Sequence, residues 1–169
     1  MSFHTLTLLL AVTAVVLCTF VQTTEALNAA TIKSIVSAHN KVRSKHHSPA
    51  LKWNKTLATY AQKWSDGCVF EHSGGKYGEN LALGYPSWAS AIDGWYSEVK
   101  DYNYNKPGFS MDTGHFTQIV WKATTEVGCG VTVCDNLGKG SKLYTCSYKE
   151  PGNMVGDDNI FFTKNVLAP

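Results

Sequence analysis

Past its first residues, the sequence has little that would suit a membrane or a nucleic acid. After Val21 it contains no long uncharged apolar run, no long basic run, no repeat and no low-complexity segment. It also has no CxxC pair, which the common zinc-binding cysteine motifs require. For residues 27–169 these absences argue against a transmembrane segment, nucleic-acid binding and a structural zinc finger, and they favour one folded domain.

Residues 1–26 are predicted to be a secretion signal. Leu6–Val21 is uncharged and apolar, but it is shorter than the roughly 20 residues that a membrane helix needs. The small residues of TEA precede Leu27, as expected for a cleavage site; the alternative is an uncleaved signal anchor. Cleavage would leave 15 Lys and Arg against 12 Asp and Glu, a net charge of +3. The predicted product is secreted, and its mild charge does not indicate a nucleic-acid partner.

Four cysteines remain after this cleavage, an even number that predicts two disulfides in a secreted chain. The two strand-like segments EVGCGVTVC and LYTCSY flank the turn-rich DNLGKG. If the hairpin centres between Leu137 and Gly138, Cys129 faces Cys146. Cys134 then points to the opposite face of the sheet, because side chains alternate along a strand. It is left to pair with Cys68.

Four segments carry apolar residues at helical spacing, with two strands after them and one between the second and third. The helical patterns lie at Ile32–Val42, Leu57–Cys68, Ser87–Val99 and, after an Asp112 or Thr113 cap, His115–Val120. The strands are predicted at Glu79–Leu83, Glu126–Cys134 and Leu143–Tyr148. Few strands among many amphipathic helices predict an α+β fold, a three-layer α-β-α sandwich with a small, mainly antiparallel sheet.

Two roles are predicted for Asn54. It is a suitable N-cap for the second helix, and Asn54-Lys55-Thr56 is also a glycosylation sequon. Burial of the cap would block a glycan, and the sequence does not show whether the cap is buried, so both roles remain possible.

Four polar residues, His72, Glu79, Glu98 and His115, are candidates for a functional site. Glu98 lies at the margin of an apolar helical stripe, where a carboxylate needs a partner. Two imidazoles with two orienting carboxylates would suit a divalent metal such as zinc or magnesium, and a Glu–His pair could also act as an acid/base couple. Spacing alone does not show that these residues meet.

The segments that carry these residues resemble the CAP superfamily of cysteine-rich secretory, antigen-five and pathogenesis-related proteins. The resemblance rests on GHFTQIVWKATTEVGCG, HSGGKYGENLA, HNKVRSKHHSPALKWNKTLATYAQKW and YTCSYKEPGN, in that family's order across nearly all of residues 27–169. It implies an α-β-α sandwich whose central tetrad falls on His72, Glu79, Glu98 and His115. No cysteine-rich module follows, so the channel-modulating activities tied to that module are not implied.

The same resemblance, nearest to fungal secreted members, implies that the protein binds sterols or fatty-acid-like lipids for export or sequestration. The implied sterol-binding loop contains Tyr102, Tyr104, Pro107, Phe109 and Met111, with a type II turn expected at Pro107-Gly108. We expect the sterol to contact this loop and not the tetrad, because a sterol cannot satisfy charged groups. A second lipid site is implied between the first and fourth helices.

Two other functions remain as alternatives: a defence or virulence effector that binds a protein or cell-wall partner, and a metal-dependent hydrolase. In a hydrolase Ser73 would be the nucleophile, with His72 or His115 as its base. Of the other histidines, His39 is expected to pack or to bond to the backbone, and the tandem His46 and His47 are expected to be solvated. The sequence does not indicate an oligomeric state.

Overall fold

The computed structural model describes residues 27–156 and 159–169; the predicted signal segment lies outside them. In chain order the elements are α1 (Ala29–Lys45), β1 (Lys52–Trp53), α2 (Lys55–Asp66), β2 (Gly78–Leu83), α3 (Trp88–Ser97), a 3₁₀ turn (Glu98–Asp101), α4 (Gly114–Val120), β3 (Glu126–Val133), a second 3₁₀ turn (Asp135–Leu137), β4 (Lys142–Lys149) and α5 (Ile160–Asn165). The predicted order of helices and strands is therefore correct. Two short elements, β1 and α5, were not predicted.

The strands form one sheet in the order β1-β3-β4-β2, in which only the β1–β3 pair is parallel. The β3–β4 hairpin has the predicted register, with Cys129 opposite Cys146. These two cysteines form one disulfide, and Cys68 and Cys134 form the other, as the register predicted.

Helices cover both faces of the sheet, which gives the predicted α-β-α sandwich. One face lies against α2, and a Cβ atom at Gly128 or Gly130 would come within 2.6 Å of the backbone of that helix. Only glycine permits this close approach. Tyr148 points to the other face, where its hydroxyl contacts His39 of α1, and the indole of Trp95 in α3 donates to the carbonyl of Leu81.

Helix α1 is joined to α4 through a buried arginine. The guanidinium of Arg43 donates to the carbonyl oxygens of Ile119, Trp121 and Thr124 at 2.7–2.9 Å, and its Nε donates to that of Pro49. These bonds satisfy carbonyls that the end of α4 would otherwise leave without partners. They fix α4, which carries His115, against the first helix.

Candidate functional site

A cleft of about 330 Å³ opens between α4, the start of β2 and the glycine-rich segment before β2. Its lining includes three members of the predicted tetrad, His72, Glu79 and His115. The fourth, Glu98, holds His115 from behind. The fold therefore brings together two His–Glu pairs whose histidines are 43 residues apart in the sequence.

The His115–Glu98 pair is built at the start of α4. His115 Nδ1 lies 2.6 Å from Glu98 Oε1, while Glu98 Oε2 accepts hydrogen bonds of 3.0 Å from the main-chain N–H groups of His115 and Phe116. The predicted cap residue Thr113 does occupy the N-cap position, but its side chain makes no capping hydrogen bond. Glu98, at the start of the 3₁₀ turn after α3, accepts the capping hydrogen bonds instead. These bonds give its partly buried carboxylate the partners that it needs.

The His72–Glu79 pair is more exposed on its histidine side. His72 Nδ1 lies 2.9 Å from Glu79 Oε1, which also accepts from the main-chain N–H of Ser73 at 2.9 Å. The hydrogen bond to Glu79 raises the pKa of His72, outweighing the effect of partial burial. Desolvation alone would raise the pKa of Glu79, but the hydrogen bonds from His72 and Ser73 lower it overall.

In both cleft histidines one ring nitrogen, Nδ1, is bonded to a carboxylate and the other, Nε2, faces no described partner. A carboxylate can only accept, so Nδ1 of His72 and of His115 carries the hydrogen in the neutral ring. Within the described residues, Nε2 of either ring makes no hydrogen bond. Each Nε2 is therefore a lone-pair donor in a carboxylate–histidine arrangement typical of metal ligands.

The predicted sterol loop divides into an inner and an outer half. Tyr102 is buried against Phe116, with ring centroids 5.5 Å apart, and Tyr104 packs on Tyr102 at 5.0 Å. Phe109 and Met111 are 46% and 80% exposed and line the cleft beside the tetrad. The outer half of the loop and the tetrad thus line one cleft, and it stays a prediction that sterol contacts the loop and not the tetrad.

Comparison with known proteins agrees with this geometry. The sequence matches the family described as CAP, the cysteine-rich secretory protein family, over residues 36–148. It is 49% identical over 134 residues to Protein PRY2 of Saccharomyces cerevisiae, covering 75% of this chain and 40% of that protein. It is 45% identical over 150 residues to Secreted protein RBT4 of Candida albicans, covering 81% of this chain and 40% of that one. This chain therefore spans less than half the length of either fungal relative.

The structure of Schistosoma mansoni venom allergen-like protein 4 superimposes with a TM-score of 0.63 and 32% identity, covering 76% of this chain and 92% of that one. This chain belongs to the CAP family. The fold expected from the resemblance is confirmed by a CAP structure.

The CAP domain of this chain offers few ligands for a metal. Among residues 27–156 and 159–169, no group of three or more His, Cys, Asp or Glu is arranged to hold an ion. The two Nε2 atoms would therefore need water or another ligand to complete a coordination shell. Glu79 Oε2 is buried, and no hydrogen bond to it is made by the described residues, so one acceptor in the cleft has spare capacity. This donor set fits a loosely held divalent ion better than a closed structural zinc site.

Ser73 lies in the CAP cleft but is not paired with a histidine. Its Oγ accepts from the Tyr60 hydroxyl at 3.1 Å and from the Gly75 N–H at 3.3 Å. Both cleft histidines direct Nδ1 to a carboxylate, so the described contacts contain no Ser–His hydrogen bond of the kind that activates a nucleophile.

Two predictions about local structure were wrong. The tight turn in the loop is at Asn103, whose carbonyl accepts from Lys106 N–H, and Gly108 lacks the positive φ that a type II turn at Pro107-Gly108 requires. His46 is buried because the end of α1 directs it inward, where Nδ1 donates to the carbonyl of Leu167 and Nε2 accepts from the Tyr96 hydroxyl. Its neighbour His47 is exposed.

Asn54 caps α2, with Oδ1 accepting from the N–H groups of Thr56 and Leu57. Its Nδ2, the atom that a glycan would modify, donates to Glu126 Oε2 at 3.1 Å. Glycosylation of the sequon stays a prediction, and it would have to share or break this bond.

Sequence reasoning missed the neutral polar residues of the cleft. Gln118 and Asn153 both line it; Gln118 Oε1 accepts from Gly152 N–H, and Asn153 bonds to Thr117 and to the carbonyl of Gly114. The spacing of Gln118, one helical turn after His115, was the available signal. The apolar stripe of the helix dominated the pattern, so Gln118 was not identified as a candidate.

Proposed function

We propose that this CAP protein is secreted and binds sterols or related apolar lipids, which it exports or sequesters. Secretion is supported by the predicted signal at residues 1–26 and by the name of the Candida relative, Secreted protein RBT4. In agreement with this, none of the helices that the structure describes is both long and apolar enough to cross a bilayer.

The observation that carries the lipid proposal is the exposed apolar lip of the cleft. Phe109 and Met111 present large apolar side chains to solvent. Covering such side chains with an apolar ligand lowers the free energy, because apolar surface is removed from water. A sterol is a rigid apolar body with one hydroxyl, so it suits an apolar lip beside a few neutral hydrogen-bonding groups such as Gln118 and Asn153. Tyr102 and Tyr104 support the lip from inside instead of contacting ligand.

Binding of radiolabelled cholesterol tests this proposal. Phe109→Ala and Met111→Ala should each weaken binding about tenfold or more, because burying one large apolar side chain contributes roughly 1.5–3 kcal/mol. Phe161→Ala is the matched control, since Phe161 of α5 is 39% exposed and does not line the cleft. Equal binding by the wild type and both lip variants, all with unchanged melting temperatures, would exclude the lip as the sterol contact.

We also propose that His72 and His115 bind a divalent ion through Nε2, with Glu79 and Glu98 holding the rings. Such an ion would supply positive charge at the floor of the cleft. A ligating imidazole must be neutral, so affinity should decline as pH falls. The decline for His72 should begin above pH 6.5, because Glu79 raises its pKa.

Calorimetry with zinc and with magnesium tests the ion site. His72→Ala/His115→Ala should bind neither ion measurably, while His47→Ala, which removes an exposed histidine that does not line the cleft, should bind like the wild type. If the double variant keeps wild-type affinity, the tetrad is not the site. A cholesterol-binding defect in the same double variant would show that the sterol reaches the tetrad.

A further inference from the structure

One strand, β2, holds both cleft histidines through two consecutive residues. The side chains of Glu79 and Asn80 point to opposite faces of the sheet, because side chains alternate along a strand. Glu79 Oε1 lies 2.9 Å from His72 Nδ1, and Asn80 Nδ2 donates to the main-chain carbonyl of His115 at 3.0 Å. That carbonyl belongs to the first turn of α4, so the bond from Asn80 fixes where this turn lies relative to β2.

The amide of Asn80 is fully buried, and its two ends are used unequally. Nδ2 donates to the carbonyl of His115, whereas Oδ1 has no hydrogen-bond partner among the described residues. A flip of the amide would exchange the two ends and place Oδ1 against the carbonyl oxygen of His115, where two acceptors repel each other. The orientation of this amide therefore decides whether β2 holds α4.

Tyr148 of β4 favours the orientation that holds α4. Asn80 and Tyr148 share a face of the sheet, because Gly78 pairs with Tyr148 and side chains alternate. The Asn80 side chain acts on the Tyr148 hydroxyl as a hydrogen-bond donor, which opposes the rise that burial causes in the pKa of Tyr148. The two hydrogens of Nδ2 thus have two acceptors, the Tyr148 hydroxyl and the carbonyl of His115.

The Tyr148 hydroxyl can only accept from Asn80, because its own hydrogen is committed to α1. His39 Nδ1 lies 2.9 Å from the carbonyl of Ile35, which can only accept, so Nδ1 carries the hydrogen of the neutral ring. Nε2 of His39 then has the lone pair and accepts from the Tyr148 hydroxyl at 2.9 Å. The direction of each bond follows from the one before it, from Ile35 in α1 to His115 in α4.

His39, Tyr148 and Asn80 are each 0% exposed, so bulk water does not compete for these bonds. We infer that Asn80 is a positioning residue of the ion site. Tyr148 and His39 fix its amide in the orientation that holds the first turn of α4.

This inference rests on the proposed binding of a divalent ion by His72 and His115. Zinc–nitrogen distances are about 2.0–2.1 Å, so two histidines can share one ion only when both are held in place. Glu79 and Glu98 orient the two rings, and Asn80 adds control over the main chain that carries His115. Residues that hold metal ligands without touching the metal typically change its affinity by about 10–100-fold.

Zinc calorimetry with two variants tests the inference. Asn80→Leu keeps the shape of the side chain and removes the donor to the His115 carbonyl, so zinc affinity should fall about tenfold or more. Tyr148→Phe leaves that donor in place but frees the amide to turn, so affinity should fall by a smaller factor. Tyr144→Phe is the matched control and should bind zinc like the wild type. Tyr144 is another buried tyrosine of β4 that does not line the cleft, and its hydroxyl donates to the carbonyl of Tyr85 at 3.0 Å.

Melting temperatures separate positioning from a purely structural role. Tyr148→Phe and Tyr144→Phe each lose one buried hydroxyl and should lower the melting temperature by similar amounts, yet only Tyr148→Phe should lose zinc affinity. If both lose affinity equally, the role of Tyr148 is structural and the inference is overturned. These two variants decide the question if Asn80→Leu does not fold.

The calorimetry also separates this inference from the ion site itself. Wild-type zinc affinity in Asn80→Leu and Tyr148→Phe would overturn the inference and leave the ion site standing. A wild type that binds no zinc would overturn both.

Discussion

The histidines in α1 and at its C-terminal end have the same tautomer as those of the cleft but different partners. In His39 and His46, Nδ1 donates to a main-chain carbonyl and Nε2 accepts from a tyrosine hydroxyl. In His72 and His115, Nδ1 faces a carboxylate and Nε2 opens to the cleft. Neutral partners supply no opposite charge that would favour the imidazolium, whereas the Glu79 carboxylate raises the pKa of His72.

Burial widens this difference. His39 is fully buried, and desolvation lowers its pKa to about 4 in spite of the hydrogen bond to Ile35. Desolvation likewise lowers the pKa of His46. The pKa of His72, which is 61% exposed, moves in the opposite direction. Polar groups on the α1 side, around His39, Arg43 and His46, therefore hold the fold together, whereas those of the cleft remain available to a ligand.

The largest expected effect comes from the α1 side. Arg43→Ala should lower the free energy of unfolding by about 3–5 kcal/mol, because four main-chain carbonyls lose a charged donor and several stay buried. Urea unfolding measures the change. A loss below about 1 kcal/mol would mean that water replaces the guanidinium without strain, and the α1 side would then not be a structural anchor.

Acid should act next most strongly, through His39. Its folded pKa lies below its unfolded value, so the unfolded chain takes up the proton first. Stability on the order of 3 kcal/mol is therefore lost as pH falls from about 6.5 to 4, and none is lost above pH 6.5. In His39→Gln this part of the loss should disappear. Urea unfolding of both proteins at pH 7, 5.5 and 4 gives the comparison, and parallel pH profiles would contradict it.

His72→Ala should change stability by less than about 1 kcal/mol, since the His72 side chain is 61% exposed and salt screens its interaction with Glu79. The sign is opposite to that of His39. The folded pKa of His72 is raised, so its contribution is fully present below pH 6.5 and is lost as pH rises through the folded pKa. The difference between His72→Ala and wild type should therefore be larger at pH 6 than at pH 8.5, measured at low salt.

The smallest effect on stability is expected at the lip. Met111→Ala should leave the free energy of unfolding within about 0.5 kcal/mol of the wild type, because Met111 is 80% exposed. Thermal unfolding checks this next to the cholesterol measurement. A clear drop in melting temperature would mean that Met111 packs on the fold, and the contrast between the two sides would weaken.

The sequence by itself determined the features that depend on periodicity. The strand alternation and the turn position placed Cys129 opposite Cys146, and the alternation sent Cys134 to the other face, because side-chain direction along a strand is a local property. Helices α1 to α4 were predictable for the same reason. The identity of the tetrad came from resemblance to the CAP family, since spacing alone could not show that four polar residues meet.

Only the tertiary structure decided which polar and aromatic residues face solvent. His46 and His47 are neighbours, yet one is buried, because the end of α1 meets the carbonyl of Leu167 from the far end of the chain. Tyr102 and Phe109 belong to one loop, yet one packs on Phe116 and the other lines the cleft. Each outcome depends on contacts between distant segments, which no local pattern encodes.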